Sequence, residues 1–160
     1  MPQGFAMSVE SKLAQLGLKL PPAPGPAGQY LPWVRAGNLL FLSGQLPMEA
    51  GVPRYVGRVG AELTEEQGYA AARLAALNVL AQLRAALGSF DRLERLVRVE
   101  GHVASAPGWY GTPGVLDGAS ALFLGVLGER GSHTRAAFNS THLPWNVAVE
   151  LVVTAAVKPD

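Results

Sequence analysis

The sequence predicts an α+β domain in which a mixed sheet is covered on one face by two helices. Three observations carry this expectation. Residues 30–47, YLPWVRAGNLLFLSGQLP, read as two short strands around a Gly37-Asn38 turn. Residues 64–88 open on a capping box and carry leucines at helical spacing up to a glycine. Residues 96–104, LVRVEGHVA, alternate with a period of two.

In chain order, SVESKLAQLGLKL at 8–20 predicts a short helix with Ser8 as N-cap and Leu13, Leu16 and Leu20 at helical spacing, interrupted by Gly17. The four prolines of PPAPGPAG at 21–28 forbid regular pairing and favour a stiff, extended connector. Residues 1–28 are therefore read as an N-terminal extension and 29–160 as the domain. The first hairpin is placed at Leu31–Ala36 and Leu39–Ser43. MEAGVPRYVGRVG, 48–60, reads as a loop with a brief strand at Tyr55 and Val56. Thr64 and Gln67 form the capping box, and Leu74, Leu77, Leu80, Leu83 and Leu87 the stripe that Gly88 ends.

In the strand at 96–104, Val97, Val99 and Val103 point one way while Arg98, Glu100 and His102 point the other, so one face is buried. A second helix is expected from Thr112 as N-cap and Pro113 at the first helical position, with Val115, Ala119, Leu122 and Val126 on one face before Gly128. Gly114, Gly118 and Gly125 inside it cost roughly 1 kcal/mol each relative to alanine, which close packing against a neighbour would explain. The last strands are expected at His133–Thr141 and Val147–Val157, bridged by HLPWN. The order is ββαβαββ, with no solenoid-type repeat.

Composition removes several functions. The chain has 160 residues, 49% of them hydrophobic, with 13 basic and 12 acidic side chains. Neither disorder nor a polyanionic partner follows from that balance, and no basic stripe indicates nucleic acid. Absence of cysteine excludes disulfides and thiolate nucleophiles, and fits a cytoplasmic protein. The start lacks a signal-peptide pattern, and no stretch approaches the ~20 apolar residues expected of a membrane span.

The final strands raise the functional question. Alternation assigns Ala136, Phe138, Val147, Val149, Leu151 and Val153 to the helix-covered side. His133, Arg135, Ala137, Asn139 and Thr141, with Ala148, Glu150, Val152, Thr154 and Ala156, are left for the other face. That face is too apolar for open water and too polar for a core, which predicts a homo-oligomer. If the two strands form a hairpin with the four-residue connection Leu143–Asn146, Arg135 and Glu150 share a face; a five-residue loop would separate them. Hydrophobic alternation favours the first. An offset of four residues then sets their α-carbons roughly 13 Å apart along the sheet, room for a small molecule. An arginine fork suits a carboxylate, and a glutamate can orient water or move a proton. A salt bridge within or between subunits stays open as the plainer alternative.

The segments NLLFLSGQLP at 38–47 and TRAAFNSTHLPWNVAVE at 134–150, in this element order, resemble the RidA (YjgF, reactive intermediate deaminase) family, also known as the L-PSP endoribonuclease family. The stretch DGASALFLGVLGERGSHTRAAF is similar to its longer, RidA-like branch. The resemblance implies a chorismate-mutase-like fold, a trimeric barrel with clefts between subunits, and hydrolysis of reactive enamines and imines to 2-keto acids and ammonia. It implies a small carboxylate-bearing substrate and no cofactor. By the same resemblance Arg135 grips the substrate carboxylate, Glu150 places the attacking water, Tyr30 stands at the cleft, and Ser43 and Gly44 form its loop. Ala137 replaces the cysteine of the archetype, and the asparagine of its second helix falls near Asp117 or Gly118. A non-catalytic binder of 2-keto or amino acids is the alternative reading; RNA cleavage is a third, against which the near-neutral charge argues.

Other residues carry less. His133 shares the face of Arg135 and is a candidate for a catalytic part, but a hydrogen bond at a strand end accounts for such a histidine more often. His102 reads as a solvated strand residue and His142 as a turn residue. The three histidines lack metal-ligand spacing. Trp33, Trp109 and Trp145 read as packing or interface groups. The glycines at 125, 128 and 131 end a helix and so make no nucleotide loop.

Overall fold

The first pairing is the one its turn dipeptide demands. In the computed structural model, which describes residues 6–160, β1 (Trp33–Ala36) and β2 (Leu39–Leu42) meet antiparallel with Ala36 opposite Leu39. Gly37 has φ 61, and of the two turn residues it alone is positive, a conformation glycine takes without steric cost. The loop that follows contains a hairpin not foreseen from sequence, β3 (Met48–Glu49) with β4 (Val52–Pro53), turned by Ala50 at φ 50 and Gly51 at φ 77. Of the strand expected at Tyr55 and Val56, a single bridge from Val56 to Val147 forms.

The remaining elements are α1 (Val9–Gln15), α2 (Glu65–Leu87), β5 (Leu93–Ala104), α3 (Thr112–Leu127), β6 (Thr134–Ser140) and β7 (Val149–Val157). The main strands and the two long helices keep the expected ββαβαββ order. In α2 the capping box is complete: the Gln67 amide N–H donates to Thr64 Oγ1 at 3.1 Å, and the Thr64 N–H to Gln67 Oε1 at 2.9 Å. Gly88, at φ 74, ends it in the left-handed region. By length and composition alone α2 is apolar enough to cross a membrane, contrary to the sequence expectation; here its apolar residues lie in the core. α3 begins one residue earlier than expected, with Gly111 as N-cap, because the Thr112 hydroxyl is engaged by Asn139 of β6 instead of capping the helix.

Of the segment set apart as an extension, α1 packs into the core. Ser8 caps α1 as expected, and Val9 and Leu13 are buried in the same cluster as α2 and α3. The helical layer thus has a third, short member.

The largest correction concerns the sheet, whose order is β1-β2-β7-β5-β6. β6 and β7 do not form a hairpin. β5 lies between them, parallel to β6 and antiparallel to β7. The cause is α3, which carries the chain back over the sheet so that β6 must run alongside β5 in the same direction. β7 becomes the central strand, and Val149, Leu151, Val153, Ala155 and Val157 are buried beneath the helices.

This order changes the faces. Arg135 is level with Val99, and Val99 with Val153, so Arg135 shares the helix-covered side. Glu150 is level with His102, and His102 with Phe138, on the open side. Arg135 and Glu150 therefore lie on opposite faces, and the expected assignment of β6 is inverted: Ala136 and Phe138 face outward. On β7 the expected assignment holds.

Candidate active site

Glu150 and the loop after β2 make one half of the site. Gln45 and Leu151 exchange backbone hydrogen bonds at 2.8 and 2.9 Å, which lays the loop along the start of β7. Gly44 then covers Glu150 so closely that a Cβ at position 44 would collide with its Oε1. The carboxyl is half-buried, and burial pushes its pKa above the ordinary 4.5, with the charge of nearby His102 opposing that rise. Glu150 enters none of the ion pairs among the described residues. His102, read from sequence as solvated, instead stacks on Phe138 with ring centroids 5.0 Å apart.

Tyr30, Ser43 and Gly44 do come together. They border a cavity of about 220 Å³ beside Gln45, Gln82 and Trp145. The Ser43 hydroxyl donates to the Leu31 carbonyl at 2.6 Å, and the Tyr30 hydroxyl accepts from the Ala27 N–H at 3.0 Å. Two buried amides of α2 fix these loops. Asn78 Nδ2 donates to the carbonyls of Leu46 and Met48 at 2.9 and 3.0 Å, and Gln82 Nε2 to that of Pro24 at 2.6 Å. Sequence reasoning missed both. Their signal was an i, i+4 pair of amides inside an otherwise apolar helix.

Arg135 belongs to the other half, at a shallow depression with Asp117, Ser120 and His133. Its guanidinium donates to Asp117 Oδ1 at 2.8 Å, to Ser120 Oγ at 3.1 Å and to the Pro113 carbonyl at 3.2 Å. His133 is 2.6 Å through Nδ1 from the Gly131 carbonyl and 2.9 Å through Nε2 from Ser120 Oγ. A proton on Nδ1 satisfies both contacts, with the Ser120 hydroxyl donating to Nε2. The network holds the ring and the guanidinium in fixed orientations at the sheet edge.

The remaining expected residues separate. Ala137 is exposed on β6, two residues from Arg135. Gly118 is buried in the contact between α3 and α2, where a Cβ would strike the Tyr69 carbonyl oxygen; its glycine serves helix packing. Three rows of register and two strand spacings separate Arg135 from Glu150, each direction roughly 10 Å. Within one chain they do not meet. Among the described residues no three His, Asp or Glu side chains converge as metal ligands.

A family model described as "YjgF/chorismate mutase-like, putative endoribonuclease" matches residues 10–157. The chain belongs to the YjgF/RidA family. The protein TCP17 of Trypanosoma cruzi is 43% identical over 144 residues, covering 89% of this chain and 90% of its own length. The structure of Atu1372 from Agrobacterium tumefaciens, a protein of unknown function, aligns with a TM-score of 0.89 at 40% identity, over 94% of this chain and 92% of that one. A Shewanella oneidensis protein described as a putative endoribonuclease aligns at 0.91 and 37% identity, over 94% and 99%. The match from residue 10 agrees with α1 being part of the YjgF/RidA core.

Proposed function

We propose that this protein hydrolyses small 2-imino acids to 2-keto acids and ammonia, in an assembly where Arg135 of one copy faces Glu150 of another. The observation that carries this reading is Glu150: a half-buried carboxyl, raised in pKa by burial and free of any ion pair among the described residues. Such a group holds its proton more tightly than an ordinary glutamate, which suits it to accept and return one during a reaction. On the protonated imine, the carboxylate takes a proton from water as the oxygen bonds to the imine carbon, giving a carbinolamine. It passes that proton to the nitrogen, then takes the hydroxyl proton as the carbonyl forms and the C–N bond breaks; ammonia leaves and the carboxyl releases the last proton to water. Arginine at the sheet edge supplies the fork for the substrate carboxylate.

The assembly is supported by the open sheet face. β6 is an edge strand paired on one side only, while Phe41 and Phe138 are 44% and 43% exposed on that face. Exposed edges and apolar patches are normally covered. A homotrimer with three clefts, as the family implies, would cover them and bring the two half-sites together.

The test is turnover of freshly generated 2-iminopropanoate, with mass measured by light scattering alongside. A rate above buffer that Arg135→Ala lowers tenfold or more, in a trimer, supports the reading; no rate, or an unimpaired variant, overturns it. A second reading, binding without turnover, is favoured by the engagement of Arg135 with Asp117, Ser120 and Pro113. Saturable keto-acid binding without hydrolysis would select it. RNA cleavage, named in the family description, finds little support in a net charge of +1; salt-dependent RNA binding would revive it.

A further inference from the structure

We infer that the cavity beneath the proline-rich segment is a side-chain pocket of the proposed site, made for a group that is apolar along its flank and ends in an N–H donor. A carboxamide is the simplest such group. The inference rests on the imino-acid reading for the reaction, and on the cavity alone for the ligand chemistry.

The cavity, about 220 Å³, is large enough for a small organic side chain. It is lined by Ser43 and Gly44, and Gly44 lies against Glu150, so this loop links the cavity to the candidate carboxyl. Pro24, Pro26, Leu46 and Met48 make its walls largely apolar.

One wall is different. Gln82 is 1% exposed and Gln45 6%. Gln82 Nε2 donates to the Pro24 carbonyl at 2.6 Å and to Gln45 Oε1 at 3.4 Å, while Gln45 Nε2 donates to the Ser43 carbonyl at 3.1 Å. Both hydrogens of the Gln82 amide are thereby used, and its orientation is fixed. Its oxygen is left buried without a hydrogen-bond partner among the described residues.

Leaving a buried acceptor unpaired is costly. The side chain that carries this unpaired acceptor lines the cavity, and a ligand that brings a donor would satisfy it. The same oxygen disfavours two alternatives: a carboxylate would meet it with like partial charge, and a purely apolar end would leave it unpaired.

Asparagine and leucine side chains are close in shape and differ in the terminal donor, so they give the test. Imino acids generated from each by an amino-acid oxidase are compared in turnover. The stable keto acids 2-oxosuccinamate and 4-methyl-2-oxopentanoate are compared in calorimetric binding. The wild-type protein is expected to favour the amide member about tenfold, and Gln82→Met to reduce that ratio to about twofold or less. Equal handling by wild type, or a preference that survives in Gln82→Met, overturns the inference. If Gln82→Met does not fold, the wild-type ratio decides. An amide preference in binding without turnover of either imino acid would sink the deaminase reading and leave the pocket standing. Turnover of both without preference would do the reverse.

Discussion

Arg135 and Glu150 sit on strands separated only by β5, and the chain treats them in opposite ways. Arg135 donates to a carboxylate, a hydroxyl and a carbonyl of its own subunit. Glu150 is pressed under Gly44, partly desolvated, and enters no ion pair among the described residues. A guanidinium satisfied at home is a pre-aimed anchor whose charge does not change with pH. A desolvated carboxyl without a partner is a proton reservoir, and it is costly to keep unless it is used. On the proposed function, the contrast gives holding to one half-site and proton transfer to the other.

Glu150→Gln strikes this contrast hardest. It keeps shape and removes the proton acceptor, so kcat for 2-iminopropanoate should fall by about 10²- to 10⁴-fold while keto-acid binding persists. Undiminished turnover would end the proton-transfer role. Gly44→Ala should follow, with kcat/KM down roughly tenfold or more, because the new methyl displaces the carboxylate that catalysis positions. Its thermal midpoint should change little, since the atom displaced is the far end of a rotatable side chain. A normal kcat/KM would show that the position of Glu150 over Gly44 is immaterial.

The raised pKa makes a separate, thermodynamic prediction. Folded Glu150 holds its proton more tightly than the unfolded chain does, so between the ordinary 4.5 and the raised folded value the native state binds more protons. Stability contributed by this group is therefore present at low pH, lost as pH rises through that window, and constant above it. Urea unfolding of wild type and Glu150→Gln across pH 4 to 8 should show that descent in the wild type alone. Parallel profiles would mean that the carboxyl is not desolvated in solution. The acid limb of kcat/KM should likewise lie above the ordinary glutamate value.

These predictions depend on geometry that the sequence showed unevenly. The Gly37-Asn38 turn and the Thr64/Gln67 capping box were legible because each is settled within four residues. The pairing of β6 was not, because a crossover helix permits a neighbour remote in sequence, and Ala136, Ala137 and Phe138 put apolar side chains on both parities. One wrong neighbour moved Arg135 across the sheet. Family motifs still brought Tyr30, Ser43, Gly44 and Glu150 into one neighbourhood, since that cluster depends on the β2 loop reaching β7. Gln82 and Asn78 were passed over as amides in an apolar helix, and which loops they tether is decided by packing alone.

Asp117→Asn carries the smallest expected effect and tests the other side of the contrast. The Asp117 side chain is 61% exposed and that of Arg135 24%, so the pair contributes about 0 to 1 kcal/mol and its loss should lower the thermal midpoint by about 4 °C at most. Asparagine keeps an acceptor oxygen for the guanidinium and removes only the charge. If Asp117 competes with the substrate carboxylate, KM should fall by about two- to fivefold with kcat unchanged, since ground-state and transition-state binding gain alike. A rise in KM would mean that Asp117 works with the arginine, its carboxylate attracting the cationic nitrogen of an iminium while Arg135 holds the acid. Measuring the same variant with a keto acid, which has no such nitrogen, separates the two: competition improves binding of both ligands, whereas recognition of the cation weakens the imino acid alone.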